Sequence, residues 1–203
     1  MDRNKIWGLV VSLFVTMGTV GAQEKFSSQP SKPNEYSLVA YVSGGAGYYL
    51  SVAGVPDYLQ PKIRKISPVG TVRIMWHPNH LVKVGFETGY LTFLSYSLQD
   101  SLGNRGTVRL DAIPLLAEWN MAVTKRINVF AGSGIYFLQT HLDYAGKSKS
   151  SKVSIGWMAA VSYIHPLGKN TGLGTELKWM DAADSTDASI CLQVQFVWKF
   201  LKW

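Results

Sequence analysis

Ala188-Ser189-Ile190-Cys191-Leu192-Gln193-Val194-Gln195-Phe196-Val197-Trp198-Lys199-Phe200 is the stretch whose reading decides the fold. Ile190, Leu192, Val194, Phe196, Trp198 and Phe200 fall on one face of an extended chain. Ser189, Cys191, Gln193, Gln195 and Lys199 fall on the other, with Val197 as the exception. Alternation of this kind marks a strand with a single apolar face.

The same period of two runs back along the chain. Residues 172–180 set Leu173, Thr175, Leu177 and Trp179 against Gly174, Glu176 and Lys178. Residues 152–165 set Val153, Ile155, Trp157, Ala159, Val161 and Tyr163 against Ser154, Gly156, Met158, Ala160 and Ser162. Residues 70–77 set Val72, Ile74 and Trp76 against Thr71, Arg73, Met75 and His77. Eight such segments are expected, at about 38–51, 70–77, 81–96, 107–123, 127–142, 152–165, 172–180 and 188–200; most are long enough for a tilted transmembrane strand. Connections alternate between tight turns, at 78–80, 124–126 and 166–171, and mostly longer polar ones, at 52–69, 98–106, 143–151 and 181–187. An even strand number with alternating short and long connections is the layout of an outer-membrane barrel.

Alternation alone leaves two architectures open. A soluble barrel carries its large apolar residues inside, and a membrane barrel carries them outside. Three features favour the second. The non-apolar face is rich in Gly, Ala and Ser, it carries modest numbers of both charge signs, and aromatic residues gather near the segment ends. Trp76, Trp119, Tyr163 and Trp198 lie beside the short turns, and Tyr48, Tyr90 and Trp179 lie nearer the long connections, as two aromatic girdles. The expected fold is therefore all-β, an eight-stranded antiparallel up-and-down transmembrane β-barrel. Residues 107–123 break the pattern: Val108, Leu110 and Ala112 share one phase, while Ala117, Trp119 and Met121 share the other. A bulge near Pro114 would reconcile the two.

Composition agrees. Of 203 residues, 47% are hydrophobic and only 16% are charged, against roughly 25% charged in ordinary soluble domains. One cysteine excludes a disulfide framework and a cysteine-rich zinc site. Residues 1–22 read as a cleaved signal peptide, with Arg3 and Lys5 before an apolar run and Val20-Gly21-Ala22 as the cleavage site. That run, about 15 residues, is shorter than the roughly 20 of a spanning helix. Residues 23–34 form a polar leader with Pro30 and Pro33, expected in the periplasm, and 35–203 form the barrel. The expected location is the outer membrane of a Gram-negative bacterium. Export disfavours nucleic acid as a partner despite the net charge of +7.

Leu110-Asp111-Ala112-Ile113-Pro114-Leu115-Leu116-Ala117-Glu118-Trp119 resembles a recurring segment of the PorT-like outer-membrane β-barrel family, an Ile-Pro-Leu-Leu core followed by a charged residue and an aromatic. Val129-Phe130-Ala131-Gly132-Ser133-Gly134-Ile135-Tyr136-Phe137-Leu138 is similar to that family's glycine-rich strand. The chain's end is similar to outer-membrane assembly signals, although Trp203 is out of phase with Phe200. The resemblance implies an outer-membrane, eight-stranded barrel inserted by the barrel-assembly machinery. It carries no catalytic residues and no particular activity.

By phase, Arg73, Lys83, Glu87, Arg109, Asp111, Glu118, Glu176, Lys178 and Lys199 are assigned to the lumen. They read either as a plug of ion pairs, because eight strands enclose an interior that side chains fill, or as a gated pore or ligand site. Lys62, Arg64, Lys65, Lys147 and Lys149 are assigned to outer loops, where they would meet lipopolysaccharide phosphates or simply face water. Catalysis is not expected. Of the four histidines only His141 lies near the long connections, and Ser133 is about 26 Å away along the same strand. His77 and His80 flank a turn without the partners a metal needs, and no cofactor is expected. Four roles remain: a non-enzymatic structural or docking barrel, a narrow transport barrel, a lipid A-modifying enzyme, and a soluble periplasmic ligand-binding barrel.

Overall fold

The computed structural model describes residues 36–50, 63–78, 82–99, 105–144, 146–183 and 187–202, with the backbone alone at Ile63, Leu98, Gln99, Arg105 and Asp187. The signal and leader assignments, Lys62 and Trp203 lie outside the described residues. The strands are β1 (Ser37–Tyr49), β2 (Ile63–Arg64), β3 (Ile66–His77), β4 (Val82–Gln99), β5 (Arg105–Ala122), β6 (Ile127–Asp143), β7 (Lys147–Pro166), β8 (Thr171–Ala182) and β9 (Asp187–Lys202). All pairings are antiparallel. β9 returns to β1, from Ser37↔Lys202 to Tyr49↔Ser189, and β4 pairs with β5, so the eight long strands close a ring. The two-residue β2 pairs with β4 at Ile63↔Tyr96 and Arg64↔Ser95. Closure pairs the backbone groups internally, which a hydrocarbon surrounding demands.

The two faces are inverted relative to a soluble barrel. Outward side chains are large and apolar: Ile155 and Ile66 are 67% exposed, Phe86 66% and Leu192 63%. Inward ones are polar and sealed, among them Arg73, Glu87, Glu176, Lys178, Gln193 and Gln195, none more than 2% exposed. A solvated surface would reverse this order, and a lipid surface requires it. All seven girdle aromatics lie on outward positions, and the register Trp76↔Val84↔Trp119 places two of them in one row beside the short turns.

The ring is not uniform in height. β4, β5, β6 and β7 have 17 to 20 residues each, against 12 in β3 and β8. One of the expected long connections, 143–151, is largely strand. β6 and β7 are joined by a tight turn in which Tyr144 N–H donates to the Gly146 carbonyl, so Lys147 and Lys149 belong to β7 and not to a loop. Arg64 likewise lies in β2, with Lys65 between β2 and β3. In these extensions the apolar face turns inward. Leu91, Phe93, Ala112, Tyr136 and Leu138 are buried, while Arg109, Thr107 and Ser151 point out. Above the lipid the wall meets water, and the ordinary soluble arrangement returns.

That change explains the break in residues 107–123. β5 holds one phase throughout, with Ala112, Pro114, Leu116, Glu118 and Asn120 buried inward; Val108 and Leu110 are apolar because they too face in. The bulge lies on the partner strand instead. The register slips between Thr92↔Asp111 and Leu94↔Leu110, leaving Phe93 as the extra residue on β4. Pairing with β4 also lapses between Thr88↔Leu115 and Leu91↔Ala112, where Pro114 has no N–H to donate.

Ile155 sits in the row Leu115↔Ile135↔Ile155 on the apolar face. Ile155→Arg should cost about 2–4 kcal/mol in a bilayer, read by denaturant unfolding in vesicles. A cost within about 0.5 kcal/mol, as for a water-facing position, would overturn the inverted assignment.

Candidate functional site

The nine charges assigned to the lumen separate into three groups. The first fills the middle of the ring. Arg73 and Glu87 are register partners on β3 and β4, and the Arg73 guanidinium lies among three carboxylates. Nη2 donates to Glu87 Oε2 at 2.5 Å, Nη1 donates to Glu176 Oε2 at 2.9 Å, and Nε stands 2.5 Å from Glu118 Oε2. Lys178 Nζ donates to both Glu87 oxygens, at 2.7 and 2.8 Å, lies 2.8 Å from Glu176 Oε1, and reaches Thr71 Oγ1 at 3.2 Å. Gln195 Nε2 donates to Glu176 Oε2 at 3.1 Å, and its own carbonyl oxygen accepts from Ser162 Oγ at 2.9 Å. The guanidinium also lies 4.0 Å from the Phe130 ring centroid, with Tyr41 beside it at 5.7 Å.

Small inward residues make the room. A Cβ at Gly132 would lie 2.7 Å from Glu118 Cγ, and one at Gly156 would lie 2.5 Å from the Tyr136 ring. Met75, Phe130, Tyr136 and Met158 complete the filling. Burying five charges is tolerable only because they meet one another; each would cost several kcal/mol unpaired. The lone Cys191 is buried in this interior, 3.7 Å from Ser189 Oγ.

The second group faces out. Arg109 and Asp111 occupy outward positions on β5, not the lumen. Arg109 Nε donates to Asp111 Oδ2 at 2.8 Å, and Nη2 donates to Tyr90 Oη at 2.8 Å. Thr92 Oγ1 donates to Asp111 Oδ1 at 2.7 Å, and His141 Nε2 stands 3.6 Å from Asp111 Oδ2. Asp111 is thus buried beneath its neighbours on the outer wall. The register Arg109↔His141↔Lys149 sets three basic side chains in one row across β5, β6 and β7. The apolar row Ile113↔Phe137↔Val153 lies two rows nearer the short turns. Sequence reasoning missed the approach of His141 to Asp111, since residues thirty apart meet only through the β5–β6 register. Ser133, the other residue weighed with His141, lies in the row Ala117↔Ser133↔Trp157, well down the wall.

The third group lies at the short-turn end. Lys83 and Lys199 have inward phase but stand beyond the aromatic floor made by Tyr41 and Phe130, away from the carboxylates. They line a cavity of about 340 Å³ together with His77, Lys125 and Lys169. A larger hollow, about 870 Å³, is cut into the outer wall where Ala117, Ala131, Ser133 and Ala159 stand between Trp119 and Trp157. Among the described residues no cluster of His, Cys, Asp and Glu has the makings of a metal site.

Solved structures that this chain resembles include outer-membrane proteins. Neisserial surface protein A shares 13% identity over 81% of this chain and 99% of its own, with a TM-score of 0.49. Ail, the attachment invasion locus protein of Yersinia pestis, shares 10% over 84% and 99%, also at 0.49. The outer membrane protease OmpT of Escherichia coli shares 8% over 88% and 99%, at 0.39. No family model matches the chain, and neither does any curated protein.

The central group counts three carboxylates against two cations, and Glu118 is the least well held, its oxygens making no hydrogen bond of good angle. Arg73→Met should cost about 3–5 kcal/mol, as expected when one partner leaves a buried ion cluster. Glu118→Gln evens the charge and should be neutral or stabilising. Thermal unfolding of the detergent-folded variants reads both.

Proposed function

We propose that this chain is an outer-membrane barrel of a Gram-negative bacterium, exported by a cleaved signal peptide, that closes its own lumen and works through its surfaces. In this reading it is non-enzymatic and serves as a structural element of the envelope or a docking point for another envelope protein. One observation carries the proposal: the ring is filled at mid-height by Arg73, Lys178 and their three carboxylates, each 4% exposed or less. A cross-section sealed by paired charges offers no aqueous path. The Ile113-Pro114-Leu115-Leu116 segment supports placing the chain with PorT-like barrels, and the alternating β9 with its terminal aromatics suits recognition by the barrel-assembly machinery. The transport reading requires that the plug open, and the lipid A-modifying reading requires a nucleophile at His141. Among the described residues the polar partner of that ring is Asp111, and no hydroxyl is hydrogen-bonded to it.

Planar bilayers holding the purified protein should show no conductance steps. Discrete steps that change with Arg73→Met would replace the plugged reading with a transport one. Expression should leave the lipid A mass spectrum unchanged, and a lost or added acyl chain would make the protein an enzyme.

A second reading is favoured by the outer wall. The Arg109–His141–Lys149 row stands two rows above the end of the apolar face, the height at which phosphates of lipopolysaccharide flank a barrel, and Asp111 with Tyr90 holds the guanidinium in place. Arg64 and Lys147 would add to the same field. The double variant Arg109→Gln/Lys149→Gln should carry several-fold less co-purifying lipopolysaccharide, measured as bound phosphate per folded protein. Equal amounts would remove this contact from the proposal.

A further inference from the structure

The cavity at the short-turn end is a basic vestibule. Lys83 on β4 and Lys199 on β9 enter it from the inward face, both partly buried. Lys125 and Lys169 come from the turns at 123–126 and 167–170. His77 forms part of its wall, with its Nε2 3.3 Å from Tyr41 Oη. Thr124, Asn128, Asn170 and Thr171 bring further polar groups to the lining. No carboxylate is among the described residues that line it, and none of these four lysines pairs with a described acid.

This is the reverse of the barrel's centre, where every cation has its anion. Arg73 and Lys178 take up the carboxylates of Glu87, Glu118 and Glu176, and the rings of Tyr41 and Phe130 stand between them and the vestibule. Like charges crowded into a half-enclosed, poorly solvated space repel at several-fold the strength they have in bulk water. Four lysines held there with no acid among the described residues that line the cavity leave a standing demand for negative charge. The volume, about 340 Å³, is that of a site for a small molecule. The closed centre makes it a dead end, so an anion that enters is held and not passed through.

We propose that the short-turn vestibule binds a small solute bearing two or more oxyanion groups, phosphate or carboxylate. Lys83 and Lys199 grip it from within, and Lys125 and Lys169 close over it from the turns. The point charges and flexible stems of lysine suit anions of varied shape, where arginine forks would select one planar geometry.

The test uses the full chain folded in a maltoside detergent, whose headgroup carries no anion. Calorimetric titration with inorganic pyrophosphate and, separately, with citrate should give saturable binding to at least one of them, weakening as salt is raised. Binding of pyrophosphate alone assigns the site to phosphates, of citrate alone to carboxylates, and of both to oxyanions in general. Lys83→Gln/Lys199→Gln should weaken the affinity at least tenfold while the gel shift between unboiled and boiled samples stays as in the parent protein. Lys152→Gln, on the upper part of β7 at the opposite end, should leave it unchanged. Failure of both anions to bind overturns the proposal. So does equal affinity in the Lys83/Lys199 variant, or an equal loss in the Lys152 variant, which would mark diffuse attraction to a basic protein.

Discussion

A guanidinium enclosed by three carboxylates governs this barrel. Arg73 is buried because Glu87 and Glu176 converge on it, with Glu118 beside them, and they converge only if β3, β4, β5 and β8 hold their registers around one ring. Slipping any of these strands by one residue would swing its charge into the lipid and bring a large apolar side chain inward. The ion cluster therefore does more than fill space. It ties the pairing of strands far apart in sequence to one electrostatic solution, and Lys178 supplies the second cation without which the carboxylates would repel. The glycines and serines of the inward face follow from the same need, because long charged side chains reach the axis only where their neighbours are small.

Much of this was legible in the sequence, and the missing parts have physical causes. β9 and β8 alternate so plainly because both faces of each strand meet a single environment along most of their length. β5 crosses two environments: Leu115, Ala117 and Trp119 face lipid, while Leu110 and Val108 above them turn inward because the outer wall there is wet. A pattern of apolar and polar letters records the phase of a strand and not its height, so the change of environment read as a change of phase, and a bulge was expected at Pro114 that the chain makes at Phe93. The charges were misgrouped for a related reason. Phase puts Lys83 and Lys199 on the inward face, but their distance from Glu87 along the axis depends on the stagger between strands, which no single strand reveals. Asp111 followed its apparent phase into the lumen, when its real place is on the outer wall beneath Arg109.

The two ends of the barrel have different electrostatic designs around an ion-paired middle. At the short-turn end, Lys83 and Lys199 enter the interior with no acidic partner among the described residues. On the outer wall near the opposite end, a buried acid orders an exposed arginine and approaches a histidine. Arg73, Lys178 and their carboxylates stand between the two.

The unequal strand lengths carry a further consequence. β8 ends at Ala182, paired with Gly156, so among the described residues the upper part of β7, from Lys147 to Lys152, has a strand partner only on the β6 side. Such a border is a template on which a neighbouring molecule could add its own border, zipping barrels into rows across a crowded membrane. Lys147, Lys149 and Lys152 stud that border with positive charge. Two copies approaching side by side present the same sign to each other, which keeps a tall, incompletely paired wall from becoming a seam.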